Sequence, residues 1–154
     1  MTRYVIDASA AVEYLLRTKM GQKIAEIIRD TLLIAPAFLD VEVLSVLRRA
    51  VLHKKLEEQR AVLALDDLVA WQVDRIPHAE LIWEAWRHRH NVSGYDSFYV
   101  AAAHLYEATL LTADGLLSRA PIPGVKVQNV QTYLPLPSFG TRAIFCLNSM
   151  HNSV

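Results

Sequence analysis

The feature that most constrains the fold is the alternation of short apolar runs with longer segments of helical periodicity. Four runs are predicted to be strands, at residues 4–6, 32–35, 109–112 and 125–127. Helices are predicted at residues 9–17, 21–30, 37–53, 57–71, 78–90 and 95–106. Parallel strands need a long crossover between them, so this order predicts a three-layer α/β/α fold with a central parallel sheet of four to five strands.

Two features of the organisation stand apart from this alternation. Successive helices around residues 66–90 suggest an arm that leaves the sheet between the second and third predicted strands. Beyond Pro135 and Pro137 no clear periodicity continues, so the domain is expected to span residues 1–134. Residues 135–154 are expected to be a mobile extension or, alternatively, a segment that docks on a partner.

Composition limits the classes of protein to which the chain can belong. Its 154 residues are 53% hydrophobic, which is enough for one domain with a core. With 16 basic and 16 acidic residues the net charge is zero, so contacts with nucleic acid must rest on local patches. Cys146 is the only cysteine, and no apolar run reaches the ~20 residues of a membrane span. We therefore expect no intrachain disulfide, no membrane segment and a cytoplasmic location.

Two acidic residues follow predicted strands. Asp7 comes directly after the first strand in VIDAS, and Asp114 comes shortly after the third in LLTADGLL. Ligands of open parallel sheets bind beyond the carboxyl ends of the strands, so both carboxylates lie at one rim if these strands are neighbours. The structural alternatives are that Asp7 ends the strand and caps a helix with Ser9, and that Asp114 and Gly115 form a turn.

A third acid, Glu42, lies in the predicted helix 37–53 at the margin of the apolar stripe rather than on the opposite face. A carboxylate half turned into a core needs a partner. The structural alternative is an ion pair with Arg48 or Arg49. The stripe itself contains Leu39, Val43, Val46, Leu47 and Ala50.

A fourth acid, Asp96, begins the predicted helix 95–106. Ser93 and Asp96 fit the S-x-x-D capping box, which is the better interpretation of this residue taken alone. Taken together, however, the structural interpretations of the four acids weaken, because all four can face the same rim.

Four carboxylates at one rim need a cation. Two like charges ~4 Å apart repel by about 4 kcal/mol at an effective dielectric of 20. Oxygen ligands favour Mg²⁺ or Mn²⁺, whereas zinc prefers His and Cys. A carboxylate-held Mg²⁺ neutralises a phosphate and activates water, so the pattern indicates hydrolysis of phosphodiesters.

The segments VIDASA, PAFLDVEVL, YDSFYVAAA and LLTADGLL, in this order, resemble the motifs of PIN-domain ribonucleases, specifically the VapC-type toxins of bacterial toxin–antitoxin pairs. The resemblance covers residues 3–134, and its specificity lies in the combination of motifs. It implies a Mg²⁺- or Mn²⁺-dependent endonuclease that cleaves RNA, forms a homodimer and is inhibited by a cognate antitoxin protein.

The resemblance also assigns roles to individual residues. The metal-binding and catalytic acids it implies are Asp7, Glu42, Asp96 and Asp114, supported by the hydroxyls of Ser9 and Thr112. Many relatives carry a further acid shortly after the fourth. This chain has Gly115, Leu116 and Leu117 there, so a second metal ion is less well held.

Two basic segments are candidate contacts for RNA phosphates, although they are equally typical of solvated helix faces. Their residues are Arg48, Arg49, Lys54, Lys55, Arg87 and Arg89. His88 and His90 are two residues apart and diverge on a helix, so no zinc site is predicted from this pair. Trp83 and Trp86 are predicted to pack in the core or in a dimer interface rather than to stack on bases.

Two other functions compete with a nuclease. A receiver or phosphohydrolase domain would use a strand-end Asp as phosphoacceptor, but the second acid expected near Asp7 is absent and Ser9 stands there. A non-enzymatic module that binds RNA or protein would need no metal ion, so a titration with divalent ions separates it from the nuclease.

Overall fold

The central sheet contains five strands, and the computed structural model that defines them describes residues 1–133. The strands are β1 (Arg3–Ile6), β2 (Leu32–Pro36), β3 (Asp74–Ile76), β4 (Thr109–Thr112) and β5 (Val127–Asn129). All neighbouring pairs are parallel, and the order β3-β2-β1-β4-β5 places β1 at the centre. Val5 and Ile6 are fully buried, as expected for a central strand covered on both faces.

Helices cover both faces of this sheet. They are α1 (Ala8–Leu15), α2 (Lys19–Ile27), α3 (Leu39–Leu52), α4 (Glu58–Ala70), α5 (His78–Arg87), α6 (Gly94–Leu105) and α7 (Gly115–Arg119), and a 3-10 helix spans Val130–Tyr133. Helix α6 packs on β1, β2 and β4 with α5 beside it, whereas α1 packs on β4 and contacts α2, α3 and α4. The predicted three-layer α/β/α fold with a parallel sheet is confirmed.

The predicted apolar stripe of α3 is also confirmed. Leu39, Val43, Val46, Leu47 and Ala50 are its buried residues, and Glu42 at the margin is half-buried. Within residues 1–133, no helix is both long and apolar enough to cross a bilayer.

The prediction of an arm between the second and third predicted strands is wrong, because the chain returns to the sheet there as β3. This strand has three residues, of which only Ile76 is buried. It pairs with β2 at the edge of the sheet, where polar residues are tolerated. Arg75 is fixed by Asp40, whose carboxylate oxygens accept from its Nε at 2.8 and 3.0 Å. So short a polar strand has no alternation from which it can be predicted.

Smaller differences concern the ends of elements. β5 begins at Val127 rather than at residue 125, because its register is set by pairing of Val127 with Leu110 on β4. Helix α7 is absent from the prediction. Predicted and observed helix ends differ by up to three residues: α5 ends at Arg87 and was predicted to end at residue 90. The predicted domain limit at residue 134 and the extension 135–154 lie outside the described residues.

Candidate active site

Asp7 lies at the carboxyl end of the central strand and beside β4. Ile6 pairs with Leu111, and the Asp7 N–H donates to the Leu111 carbonyl at 3.2 Å, which continues the ladder by one residue. The first and third predicted strands are neighbours, so the condition for placing both carboxylates at one rim is met. The backbone therefore brings Asp7 next to Thr112.

The Asp7 carboxylate is buried and held by three donors. Its Oδ1 accepts from the Ser9 hydroxyl at 2.7 Å and from the Ala10 N–H at 2.9 Å, and its Oδ2 accepts from the Thr112 hydroxyl. Ser9 Oγ in turn accepts from the Ala113 N–H at 2.9 Å. Asp7 is thus the N-cap of α1, as the structural alternative stated. Ser9 and Thr112 both donate hydrogen bonds to its carboxylate.

Glu42 lies in the first turn of α3 and is turned toward the same rim. Within the part of the chain that the structure describes, its Oε1 and the hydroxyl of Tyr99 are buried without a hydrogen-bond partner. Burial, followed by the charges of Asp7 and Asp96, raises the pKa of Glu42 to about 7. Neither arginine of the structural alternative is among the causes of this shift, so the Glu42 Oε1 atom is available to a cation.

The last two acids also lie at helix starts. Ser93 caps α6 by accepting from the Asp96 N–H at 3.2 Å, so the cap interpretation is correct for Ser93. Asp114 caps α7 through Oδ1, which accepts from the Leu116 N–H at 2.7 Å, and its own N–H donates to Thr112 Oγ1 at 2.9 Å. Both side chains are half-buried.

Electrostatics connects the four carboxylates. Burial raises the pKa of Asp7 to about 6 against the opposing hydrogen bonds, and the charge of Asp96 adds to this. Burial also raises the pKa of Asp96, with a further contribution from Asp114. Together with the coupling of Glu42 to Asp7 and Asp96, this brings all four predicted acids within electrostatic reach at one rim.

The rim fits a hard divalent cation that keeps part of its water. No three of the four acids have ligand atoms within 4.8 Å of one another in the described residues, so direct ligation by all four at once is not what this geometry fits. Mg²⁺ characteristically binds one or two carboxylates directly and contacts others through its waters. The all-oxygen donor set, the orphaned Glu42 oxygen and the raised pKa values agree with such an ion.

The structure does not bring the predicted basic residues to this rim. Arg48 and Arg49 follow Glu42 by six and seven residues on α3, about 9–10 Å along the helix axis, and Lys54 and Lys55 come after the end of this helix. Their contacts with RNA stay a prediction.

The other basic segment engages its own helix. Arg87 Nη1 lies 3.2 Å from Glu84 Oε2, and Arg89 donates to the Trp86 carbonyl at 3.0 Å while its guanidinium lies 4.9 Å from the indole centre. Trp83 and Trp86 are 79% and 61% exposed, so the core, one of their two predicted places, is wrong, and the dimer interface stays a prediction.

One residue at the rim was not predicted from the sequence. Tyr99 is fully buried, and its pKa is raised well above the ordinary value by burial and by the charges of Glu42, Asp7 and Asp96. Its position one helical turn after Asp96 places both on one face of α6, a spacing that was available in the sequence.

Comparison with known proteins agrees with this geometry. The model of the PIN domain matches residues 4–123. The chain belongs to the PIN-domain family. Within that family, Ribonuclease VapC1 of Mycobacterium tuberculosis is 39% identical over 123 residues, which are 79% of this chain and 92% of that protein. Ribonuclease VapC12 of the same organism is 33% identical over 116 residues, or 75% and 90% of the two chains. These matches place this PIN-domain chain among the VapC-type proteins.

A solved structure shares the fold. A toxin–antitoxin complex from Klebsiella pneumoniae contains a chain with a TM-score of 0.54 and 15% identity, covering 82% of this chain and 97% of that one. The sheet order also differs from the 2-1-3-4-5 order of receiver domains. This argues against the receiver alternative.

Proposed function

We propose that this VapC-type chain is a toxin that hydrolyses RNA phosphodiesters as an endoribonuclease, using Mg²⁺ or Mn²⁺ held by Asp7, Glu42, Asp96 and Asp114. The observation that carries the proposal is the charge imbalance at the rim. Carboxylates with pKa values of about 6 and about 7 lie within electrostatic reach of two further acids. Such a site is balanced by a divalent cation.

The residues of the rim have different roles, which follow from their burial. Ser9 and Thr112 fix the orientation of the deepest acid, Asp7, through hydrogen bonds to both of its oxygens. Glu42 contributes an oxygen with no competing partner among the described residues. When bound, the ion lowers the pKa of the attacking water and neutralises charge on the phosphate.

RNA would approach from the solvent side of the rim. Asp96 and Asp114 are half-buried whereas Asp7 is buried, so the side of α6 and α7 is the more accessible one for a phosphate. An incoming anion requires the cation, because it would otherwise meet four carboxylates.

Cleavage of RNA by the purified chain tests the proposal. Hydrolysis is expected with Mg²⁺ or Mn²⁺ and not with EDTA, and Glu42→Gln should lower the rate by several orders of magnitude because it removes a charged ligand. Asp66→Asn is the matched control, since it removes an exposed acid of α4. Cleavage in EDTA would contradict the metal mechanism. Metal-independent RNA binding without cleavage would favour the non-enzymatic module.

We also infer the partners expected of such a toxin: a cognate antitoxin protein and a second copy of the chain, both in the cytoplasm where RNA is translated. The Klebsiella pneumoniae relative is described as part of a toxin–antitoxin complex. Ile82, Trp83 and Trp86 form an exposed apolar surface on α5, which suits a protein partner. Light scattering and co-purification with the product of a neighbouring short gene test both partners.

A further inference from the structure

Glu84, His88 and His104 form a second polar cluster, on the α5–α6 pair. In residues 1–133 this is the one group of three or more His, Cys, Asp or Glu side chains whose ligand atoms all lie within 4.8 Å of one another. Glu84 Oε1 lies 2.5 Å from His104 Nδ1 and 3.3 Å from His88 Nε2. A single carboxylate oxygen is therefore shared by two imidazole nitrogens.

The cluster is separate from the acidic rim. His104 follows Asp96 by eight residues on α6, about 12 Å along the axis. It also lines a surface depression with Thr109 and Lys126, near the amino ends of β4 and β5. The rim lies at the carboxyl ends of the strands, so the two clusters lie at opposite ends of the strands.

The ligands are positioned by two packed helices. Glu84 lies on α5 and His88 is the C-cap residue of this helix, four residues later, and each is 8% exposed. The rings of His88 and His104 are perpendicular, with centres 6.2 Å apart. Helix packing thus aims two imidazoles and one carboxylate at a common point.

The distances are close to those of a tetrahedral metal site. Metal–ligand bonds of 2.0–2.2 Å put tetrahedral ligand atoms about 3.3 Å apart, so the Glu84–His88 separation already fits and the Glu84–His104 contact must lengthen by about 0.8 Å. His104 is 43% exposed and provides a path for the ion and for a water as fourth ligand. Glu84 Oε2 is occupied by Arg87, which leaves Oε1 for the metal.

The surrounding charges do not oppose a cation at this point. Burial acts to raise the pKa of Glu84, yet the hydrogen bonds from His104 and Arg87 outweigh it and keep the pKa below its ordinary value, so the carboxylate is ionised. The positive charges of Arg87 and Lys126 are offset by the negative charges of Glu84 and of Glu107, which lines the same depression.

We propose that Glu84, His88 and His104 bind one Zn²⁺ ion, which clasps α5 to α6. Two imidazoles and one carboxylate suit a borderline ion such as Zn²⁺ and not Mg²⁺, which prefers oxygen ligands. Each neutral imidazole binds the ion through the nitrogen that faces Glu84 Oε1 and carries its proton on the other ring nitrogen, so the ion joins the two helices that flank the turn before Asp96. This site is independent of the nuclease proposal.

Calorimetric titration of chelator-treated protein with Zn²⁺, in excess Mg²⁺ to occupy the rim, tests the proposal. One Zn²⁺ per chain and a raised melting temperature are expected. His104→Gln keeps a hydrogen-bond donor for Glu84 and should weaken Zn²⁺ binding by at least about 100-fold. His90→Gln removes an exposed histidine two residues from His88 and is the control that should bind as tightly as the parent.

Co²⁺ provides a second measurement that does not depend on activity. The parent should give the strong visible absorption of tetrahedral Co²⁺, and His104→Gln should not. Asp7→Asn should retain the Zn²⁺ site, so loss of cleavage and loss of zinc are distinguishable. Absence of Zn²⁺ binding in excess Mg²⁺, equal affinity in His104→Gln, or an equal loss in His90→Gln would each overturn the clasp.

Discussion

Replacing Asp7 with Asn separates the structural duties of this residue from its charge. Asn caps helices about as well as Asp. Its side-chain oxygen can accept from the Ala10 N–H and the Ser9 hydroxyl, and its amide can donate to Thr112 Oγ1. The substitution therefore retains the three contacts, with the direction of the Thr112 hydrogen bond reversed, and removes the negative charge.

The magnitude follows from the pKa of Asp7, which is raised from 3.8 to about 6 by burial and by Asp96. Each pKa unit corresponds to 1.36 kcal/mol, so the ionised side chain destabilises the metal-free fold by up to about 3 kcal/mol. Since the pKa is higher in the folded state, the contribution of Asp7 to stability is fully present below pH 3.8 and is lost as the pH rises through about 6. Asp7→Asn is therefore expected to be more stable than the parent at pH 7.5, with the difference vanishing near pH 3.5.

Urea unfolding in EDTA at both pH values measures this difference, and repeating it with Mn²⁺ measures the opposite effect. The ion should stabilise the parent and leave Asp7→Asn nearly unchanged. RNA cleavage by the variant should fall by several orders of magnitude, and its expression without antitoxin should not arrest growth. A variant that is less stable at pH 7.5 in EDTA, or that cleaves RNA as fast as the parent at matched concentration, would refute the reasoning.

Two further predictions concern α6 and α5. Asp96→Asn should abolish cleavage while lowering the free energy of unfolding by less than about 1 kcal/mol, because Ser93 supplies the cap. A variant that is largely unfolded, but whose folded fraction retains full activity, would contradict a metal role for Asp96. Trp83→Glu should convert the proposed homodimer to a folded monomer, whereas Val69→Glu, at an equally exposed site on α4, should remain dimeric in light scattering. A monomeric parent at micromolar concentration would refute the homodimer itself.

The placement of Asp7 and Asp114 at one rim was within reach of sequence reasoning, because this placement depends mainly on strand order. Once the first and third predicted strands are neighbours, any acid after each of them lies at the same rim. The edge strand β3 was beyond sequence reasoning, since its Asp74 and Arg75 carry no apolar pattern and are held by pairing with β2. Local periodicity reveals buried strands and misses those that depend on a neighbour.

The Glu84, His88 and His104 cluster shows the same limit for a site. His88 and His90 are two residues apart in sequence but diverge, as predicted, with His88 buried and His90 exposed. The i, i+4 spacing of Glu84 and His88 was visible, but the third member comes from α6 and meets them only through helix packing. No spacing within one element predicts such a contact.

Capping a helix and binding a metal are compatible roles for the rim acids. A cap occupies only part of a carboxylate, as Asp114 shows by using Oδ1 for the Leu116 N–H. Asp7 caps α1, and Glu42 and Asp96 lie in the first turns of α3 and α6, so three helix N-termini direct their positive ends at the rim. These dipoles offset part of the repulsion among the carboxylates in the absence of metal and attract a phosphate once the ion is bound. The helix starts that favoured a capping role for Asp7 and Asp96 thus also stabilise the site in which the four acids are proposed to act together.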